Sequence, residues 1–320
     1  ARDWKEQPRG GSHDSFVRGR VPSKRMDNDG CKEPHRLGPL HAGSRDGQPL
    51  PAFHRPWSRD QGARLDLQQK PAESETRLSA VERFAELCRT AGVHPKPASV
   101  FFLVKLLPTL DLHDAGYADQ DLLALAAALP YRDASKIESV DLSDNPRFTD
   151  SSVCEFLQAL ANMHARTVRR LRLGGCSRLS CRSTSLIANL LQERFTELAM
   201  VDLSGITISA AHYQAVAQIM QRHKRLSDIR LAKTGLGLLG NANSKHILTC
   251  LLSNAQLQTL DLGWNALSAV VFETLGKGVA AHKRLASLGL ASTGSCSDPV
   301  LMASPVLIFL EYLAQDRSLT

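Results

Sequence analysis

The sequence predicts an α/β solenoid: a curved parallel β-sheet inside, α-helices outside, and an extended tail at the N-terminus. Two observations carry this. An apolar pattern, Leu-x-x-Leu-x-Leu with occasional Ile or Val, recurs seven times between Leu107 and Leu290. Its middle residues are Leu110, Val140, Leu171, Val201, Ile229, Leu260 and Leu288, so the steps are 30, 31, 30, 28, 31 and 28 residues. Between successive copies lies a segment whose apolar residues fall at helical spacing, which makes each repeat one short strand plus one helical return. A third observation agrees: aromatics are only 5% of the chain, so aliphatic side chains must fill the core.

Residues 1–72 hold 8 of the 15 prolines and 8 of the 21 glycines, with few aliphatics and no period. Such a segment buries too little apolar surface to offset its ordering entropy. It is expected to be an extended basic tail, disordered alone and held as a strap by partners. Trp4, Phe16, Phe53 and Trp57 are its candidate anchors.

Residues 73–106 are expected to form a helical N-terminal cap. Arg77–Ala91 places Leu78, Val81, Phe84, Ala85 and Cys88 on one face, with Gly92 where a helix ends. After Pro95 and Pro97, Ala98–Leu107 leads into the first repeat. Seven repeats then occupy 107–293. Their helices are expected at 119–129, 150–164, 183–195, 209–222, 243–254 and 268–282, several opening on a capping Ser, Asp or Asn. Strict alternation of strand and helix makes the strands parallel, and seven of them give a sheet about 30 Å long. Residues 294–320 hold a C-terminal helix. The chain stops at Leu319-Thr320, where an eighth strand would begin, so the array is expected to be incomplete, its last layer uncovered or covered by a neighbour.

These residues resemble the leucine-rich repeat family over about 107–293, and the helical returns resemble its ribonuclease-inhibitor-like class. The resemblance implies an asparagine, cysteine or threonine three positions after the last leucine, bonding the turn. Here that position reads Ala115, Asn145, Cys176, Ile206, Thr234, Asn265 and Thr293. Ala115 and Ile206 depart from the pattern, which implies loosened turns there.

Composition narrows the function. The formal charge of +7 is uneven: residues 1–70 carry 14 Lys/Arg against 9 Asp/Glu, and the remainder 25 against 23. A nearly neutral array does not suit a phosphate-tracking groove. No run of about 18 apolar residues is present to span a membrane. Seven cysteines, odd in number and scattered, fit a reducing compartment. Stacked repeats build a broad surface rather than a pocket, so binding without catalysis is expected, with no cofactor, metal or small-molecule substrate.

The residues between the leucines line the concave face. Their central row reads Asp111, Asp141, Arg172, Asp202, Arg230, Asp261 and Gly289, with signs alternating from 141 to 261. It is either a recognition stripe or a self-neutralising ladder of cross-strand pairs. The next row (His113, Ser143, Gly174, Ser204, Ala232, Gly263, Ala291) is small almost throughout and would let another backbone approach. Trp264, beside Asn265 at a strand exit, is either an exposed contact or a lid on the core. The candidate interaction residues are therefore Arg170, Arg172, Asp202, Arg230, Asp261 and Trp264.

Three further features have bland readings. Gly235-Leu-Gly237-Leu-Leu-Gly240, with Asp261 21 residues on, outlines a dinucleotide-binding turn. Both flanking strands already belong to the repeat, so an inter-repeat loop accounts for it better. Cys31, His35 and His41, and the pair Cys176 and Cys181, lack the four ligands of a zinc site. Basic clusters at Arg166–Arg172 and at Arg222, Lys224 and Arg225 fall where helices end, complementing their dipoles; Arg169 and Arg170 are the best choices for an acidic partner.

The expected role is a structural, protein-binding subunit of a large assembly, cytoskeletal or ciliary in the cytoplasm. The alternatives are an accessory protein of a ribosome-like particle in the mitochondrial matrix, its tail on RNA, and a regulator of a small GTPase.

Overall fold

A computed structural model describes residues 79–132, 136–294 and 305–315. The four tail aromatics Trp4, Phe16, Phe53 and Trp57, and the trio Cys31, His35 and His41, lie outside the described residues. Two helices, α1 (Ala80–Thr90) and α2 (Pro97–Lys105), precede seven strand–helix units. These are β1 (Thr109–Asp111) with α3 (Asp119–Ala128), β2 (Ser139–Asp141) with α4 (Asp150–His164), and β3 (Arg170–Arg172) with α5 (Cys181–Glu193). There follow β4 (Met200–Asp202) with α6 (Ala210–Arg222), β5 (Asp228–Arg230) with α7 (Asn241–Leu252), β6 (Thr259–Asp261) with α8 (Ala269–Ala281), and β7 (Ser287–Gly289) with α9 (Pro305–Gln315).

The strands form one sheet in chain order. All neighbours are parallel, and the predicted middle residues are register partners from Leu110 through Val140, Leu171, Val201, Ile229 and Leu260 to Leu288. This is the leucine-rich repeat solenoid architecture. Burial of the leucine columns on the helix side drives it, at roughly 1.5–3 kcal/mol per fully buried aliphatic side chain.

The two ends of the array differ. At the N-terminal end Ser79 and Glu82 form a capping box: the Glu82 amide donates to Ser79 Oγ at 3.3 Å, and the Ser79 amide donates to Glu82 Oε2 at 2.8 Å. Phe84, Leu87 and Cys88 of α1, with Phe102 and Leu103 of α2, are buried, and Leu110 and Leu112 of the first repeat have no exposure at all. At the C-terminal end α9 covers α8: Phe309 meets Phe272 edge-on at 6.4 Å, and Tyr312 Oη donates to Glu273 Oε1 at 3.1 Å. On the sheet side, Leu285, Leu288 and Leu290 are only half-buried.

At each strand exit the chain turns through a left-handed residue at the same place, Asp114, Asp144, Gly175, Gly205, Lys233, Trp264 and Ser292, with a second two positions on at Gly116, Gly235 and Ala266. For a residue with a Cβ this conformation costs about 1 kcal/mol or more. The next position bonds the turn. Asn145 Nδ2 donates to the carbonyls of Leu112, Leu142 and Ser143 at 2.7, 3.0 and 3.1 Å, and its Oδ1 accepts from the Tyr117 amide at 3.1 Å. Asn265 does the same for Leu231 and Leu262, and accepts from the amides of Thr234 and Leu236.

The turns at Ala115 and Ile206 are not loosened. Asn145 reaches back to the Leu112 carbonyl and so serves the turn where Ala115 has no donor of its own. Ile206 is fully buried, and its turn is held by backbone bonds, Ile206 to Leu203 at 3.2 Å and Gly205 to Ala232 at 2.7 Å, with the Ser204 amide donating to Asp202 Oδ1 at 2.9 Å. An asparagine serves two repeats at once, which position-by-position matching does not register.

Helix starts are also shared between repeats. Asp119 Oδ1 accepts from the Thr149 amide and its Oδ2 from the Thr149 hydroxyl, each at 2.8 Å, and Ser152 Oγ donates to it at 2.5 Å. Asp150 plays the same part for α5, accepting from the Ser180 amide at 2.9 Å and from the Ser183 hydroxyl at 2.6 Å. A first-turn carboxylate thus caps the next helix as well as complementing its own dipole.

Candidate functional site: the open sheet face and its two rims

The central row of the sheet lies in register as the period requires, Asp111–Asp141–Arg172–Asp202–Arg230–Asp261–Gly289. The expected ladder of alternating pairs forms at one step. Arg172 Nη1 donates to Asp141 Oδ2 at 3.1 Å. Arg230 instead turns within its own strand, its Nε and Nη2 each 3.3 Å from the Asp228 carboxylate.

The aspartates have another job. Asp111, Asp141, Asp202 and Asp261 each accept, through Oδ1, the amide two residues on, at 3.1, 3.0, 2.9 and 3.0 Å from His113, Ser143, Ser204 and Gly263. This local bond tightens the strand exit and draws the carboxylate away from a cross-strand arginine. Burial alone would raise the Asp141 carboxyl; the Ser143 hydroxyl and amide and the Arg172 guanidinium outweigh it and hold it below the usual range. For Arg230 the bonds to Asp228 raise the guanidinium further.

The row ends where Asp261 leans over Gly289. A Cβ there would lie 2.4 Å from Asp261 Oδ1, so any other residue would oblige this carboxylate to move. Beside the row, Met200 (5% exposed) and Asp228 share the line of Arg170, because Arg170 registers with Met200 and Met200 with Asp228. Their alternation of basic, apolar and acidic was not picked out from sequence; only the register puts these residues side by side.

Trp264 is exposed and does not act as a lid on the core: 64% of it is accessible, in left-handed backbone with φ 59°. Its amide donates to the Ala291 carbonyl at 2.7 Å, which fixes the turn while leaving the indole outside. Leu238, 83% exposed, sits on the same rim, and the sequence reading did not single it out. It follows Gly237, whose amide donates to the Asn265 carbonyl at 2.9 Å.

That contact explains the glycine loop. A Cβ on Gly237 would fall 2.2 Å from the Asn265 carbonyl oxygen and 2.3 Å from that of Ala266. The amides of Leu236, Gly237 and Leu238 donate to Asn265 Oδ1, Asn265 O and Gly235 O, so the loop spends its donors on the neighbour repeat and on itself rather than presenting them to a phosphate. Cys176 is likewise part of a turn: buried, with Sγ 3.2 Å from the Leu142 carbonyl and its thiol pushed up to about 11 by burial.

The opposite rim, where helices return to strands, has its own bonds. His223 Nε2 lies 3.0 Å from the Phe195 carbonyl, and its Nδ1 accepts from the Leu226 amide at 3.1 Å. His282 repeats this with the Asn254 carbonyl at 2.9 Å and the Leu285 amide at 2.9 Å. Between them Asn254 fills the same place, donating to the carbonyls of Met220 and Leu226. Both histidines open the tetrapeptide His-Lys-Arg-Leu, at 223–226 and 282–285. That repetition was the available signal for them.

Among the described residues no three His, Cys, Asp or Glu side chains converge as metal ligands, and no helix is long and apolar enough to cross a membrane. Register, turns and open face define a leucine-rich repeat structure.

No family profile and no curated protein matches the chain. Solved structures similar to it include the tropomodulin C-terminal domain of Caenorhabditis elegans, at 10% identity and TM-score 0.36, covering 62% of this chain and 94% of that one. Actin-binding site 2 of leiomodin-1 is similar at 13% identity and TM-score 0.37, over 60% and 87% of the two chains. An internalin of Listeria monocytogenes is similar at 16% identity and TM-score 0.27, over 68% of each. The chain's own sheet register, rather than these scores, carries the assignment of its architecture.

Proposed function

We propose that this chain is a non-catalytic protein-interaction scaffold that docks a partner on its open sheet face. The observation that carries this is Trp264. The fold asks for a left-handed residue there and the other turns meet it with Asp, Gly, Lys or Ser, whereas this one holds an indole out in water. Large aromatics and arginines dominate binding energy when a partner covers them. Trp264 has Arg172, Asp202, Arg230 and Asp261 along the adjoining central row, and Arg170 one row further. They offer an apolar anchor beside charges already oriented by neighbours. In the finer reading the repeats are of the ribonuclease-inhibitor-like class, because every return between strands is helical. The partner is then a component of a cytoskeletal assembly, since the array beyond residue 70 is nearly neutral, at 25 basic against 23 acidic residues.

Co-sedimentation of the full chain with purified actin filaments and with microtubules tests both levels. Pelleting with one of them, lost in Trp264→Ala and in Arg172→Glu, supports the reading. Pelleting that both substitutions leave intact removes the sheet face from it. Failure to pellet with either polymer removes the cytoskeletal part.

A further inference from the structure

The return rim carries basic side chains that the sheet face does not use. Lys224 and Arg225 precede β5, and Lys283 and Arg284 precede β7; all four are exposed. Arg166 and Arg169 stand exposed at the return into β3. The intervening returns lack such a set, with Thr196 and Glu197 before β4 and Ala255 and Gln256 before β6. Basic sets therefore recur at every second strand, about 10 Å apart.

Helix dipoles do not set this pattern. Arg222 is in the last turn of α6, but the two Lys-Arg pairs lie beyond their helices, and α7 ends with no base in its last turn. The turns are also rigid: the imidazoles of His223 and His282 accept from the amides of Arg225 and Arg284 at 3.4 and 3.2 Å. Arg225 Nε lies 3.5 Å from Glu197, and Arg284 Nη1 donates to Gln256 at 2.6 Å, so each guanidinium is drawn toward the gap on its N-terminal side. At the far end the strip opens into a groove of about 630 Å³ between α7 and α8, lined by Thr249, Ser253, Lys277, Lys283 and Arg284 among others.

We propose that this rim is a docking strip for an acidic α-helix whose carboxylates recur every seven residues. Two helical turns rise about 10.5 Å, which matches two strand spacings. A helix laid across the returns brings one carboxylate to each basic set, on a surface whose backbone is already fixed. Nucleic acid fits less well. Glu138, Glu193 and Glu197 interrupt the rim and would repel a continuous phosphate chain, and among the described residues of this rim in repeats three to seven no exposed aromatic offers a stacking platform.

Fluorescence anisotropy on the full chain tests this, with a labelled four-heptad helical peptide bearing glutamate every seven residues. The comparison probes are a helical peptide of equal charge with irregular spacing and a labelled oligouridylate. The regular peptide should bind more tightly than either, and Lys224→Glu with Arg225→Glu, or Lys283→Glu with Arg284→Glu, should each weaken it about tenfold or more. Equal affinity for the irregular peptide, tighter binding of oligouridylate, or reversal variants that bind as the parent does would each overturn the proposal. The neutral pair Lys224→Gln and Arg225→Gln, checked for an unchanged melting curve, separates lost contact from lost fold. Trp264→Ala should leave this affinity unaltered, so the strip and the sheet-face reading stand or fall apart from one another.

Discussion

The turns at the two rims face one problem, the orphan backbone groups left wherever a strand meets a helix, and solve it with different chemistry. At the exits the partners are amides, hydroxyls and a thiol: Asn145, Cys176, Thr234 and Asn265, backed by aspartates that accept the amide two residues on. At the returns the partners include imidazoles, His223 and His282. The first set holds its protonation over the whole neutral range. The second includes His223, whose imidazole burial holds below its ordinary range, so acid bears on that rim through a group the exit rim does not use.

The largest expected effect breaks the exit side. Asn145→Ala orphans the buried Tyr117 amide and takes one bond from each of three carbonyls that keep another donor, and should cost about 2–4 kcal/mol in urea-induced unfolding. A loss under about 1 kcal/mol would mean that water replaces the asparagine and the shared turn is not what joins the first two repeats. Next comes Gly237→Ala, which drives a methyl into two backbone carbonyls of the following repeat; about 1–3 kcal/mol of destabilisation is expected, read as a lowered melting temperature.

The return side is probed by pH. Burial lowers the His223 imidazole below its ordinary 6.5, only partly offset by the Phe195 carbonyl and Glu197. Burial and the Arg132 guanidinium lower His164 as well. A depressed histidine stays neutral when folded, while the unfolded chain takes up the proton as pH falls below about 6.5. Stability is therefore full above that value and declines beneath it. Calorimetric scans from pH 7.5 to 5.0 should show this decline, and His223→Asn should shallow it while remaining within about 1 kcal/mol of the parent at pH 7.5, since Asn254 already performs the role one repeat on. An acid response identical in parent and variant would show that His223 does not drive it. The smallest effect belongs to the sheet face: Arg172→Gln removes one half-exposed ion pair and should cost less than about 1 kcal/mol.

The architecture was legible because it rests on burial, and burial follows period. Seven middle residues read from spacing are the seven register partners. The side-chain roles were less legible because they depend on distances of an ångström or two. Alternating charges along Asp141, Arg172, Asp202 and Arg230 suggested a ladder, but an aspartate two residues from an amide has a nearer partner than the strand beside it, and Arg230 finds Asp228 first. The matched turn residue gave no hint that Asn145 would serve the turn at Ala115. Trp264 could be placed at the exit but not turned inward or outward, since that depends on a left-handed φ which residue type does not announce. The glycine loop misled in form only: Gly237 is needed because a neighbouring backbone comes close, as a pyrophosphate would.

The shared helix caps have a mechanical consequence. Hydroxyls clasped by Asp119 and Asp150 fasten repeats one to two and two to three with charge-assisted bonds. Between α6 and α7, and between α7 and α8, the corresponding links are single neutral contacts, Gln214 with Asn243 at 2.9 Å and Ser268 with Asn241 at 2.7 Å. Substituting Asp119 or Asp150 with Asn should therefore unfasten its pair of repeats more than Gln214→Ala unfastens α6 from α7, which amide hydrogen exchange at the starts of α4, α5 and α7 would compare.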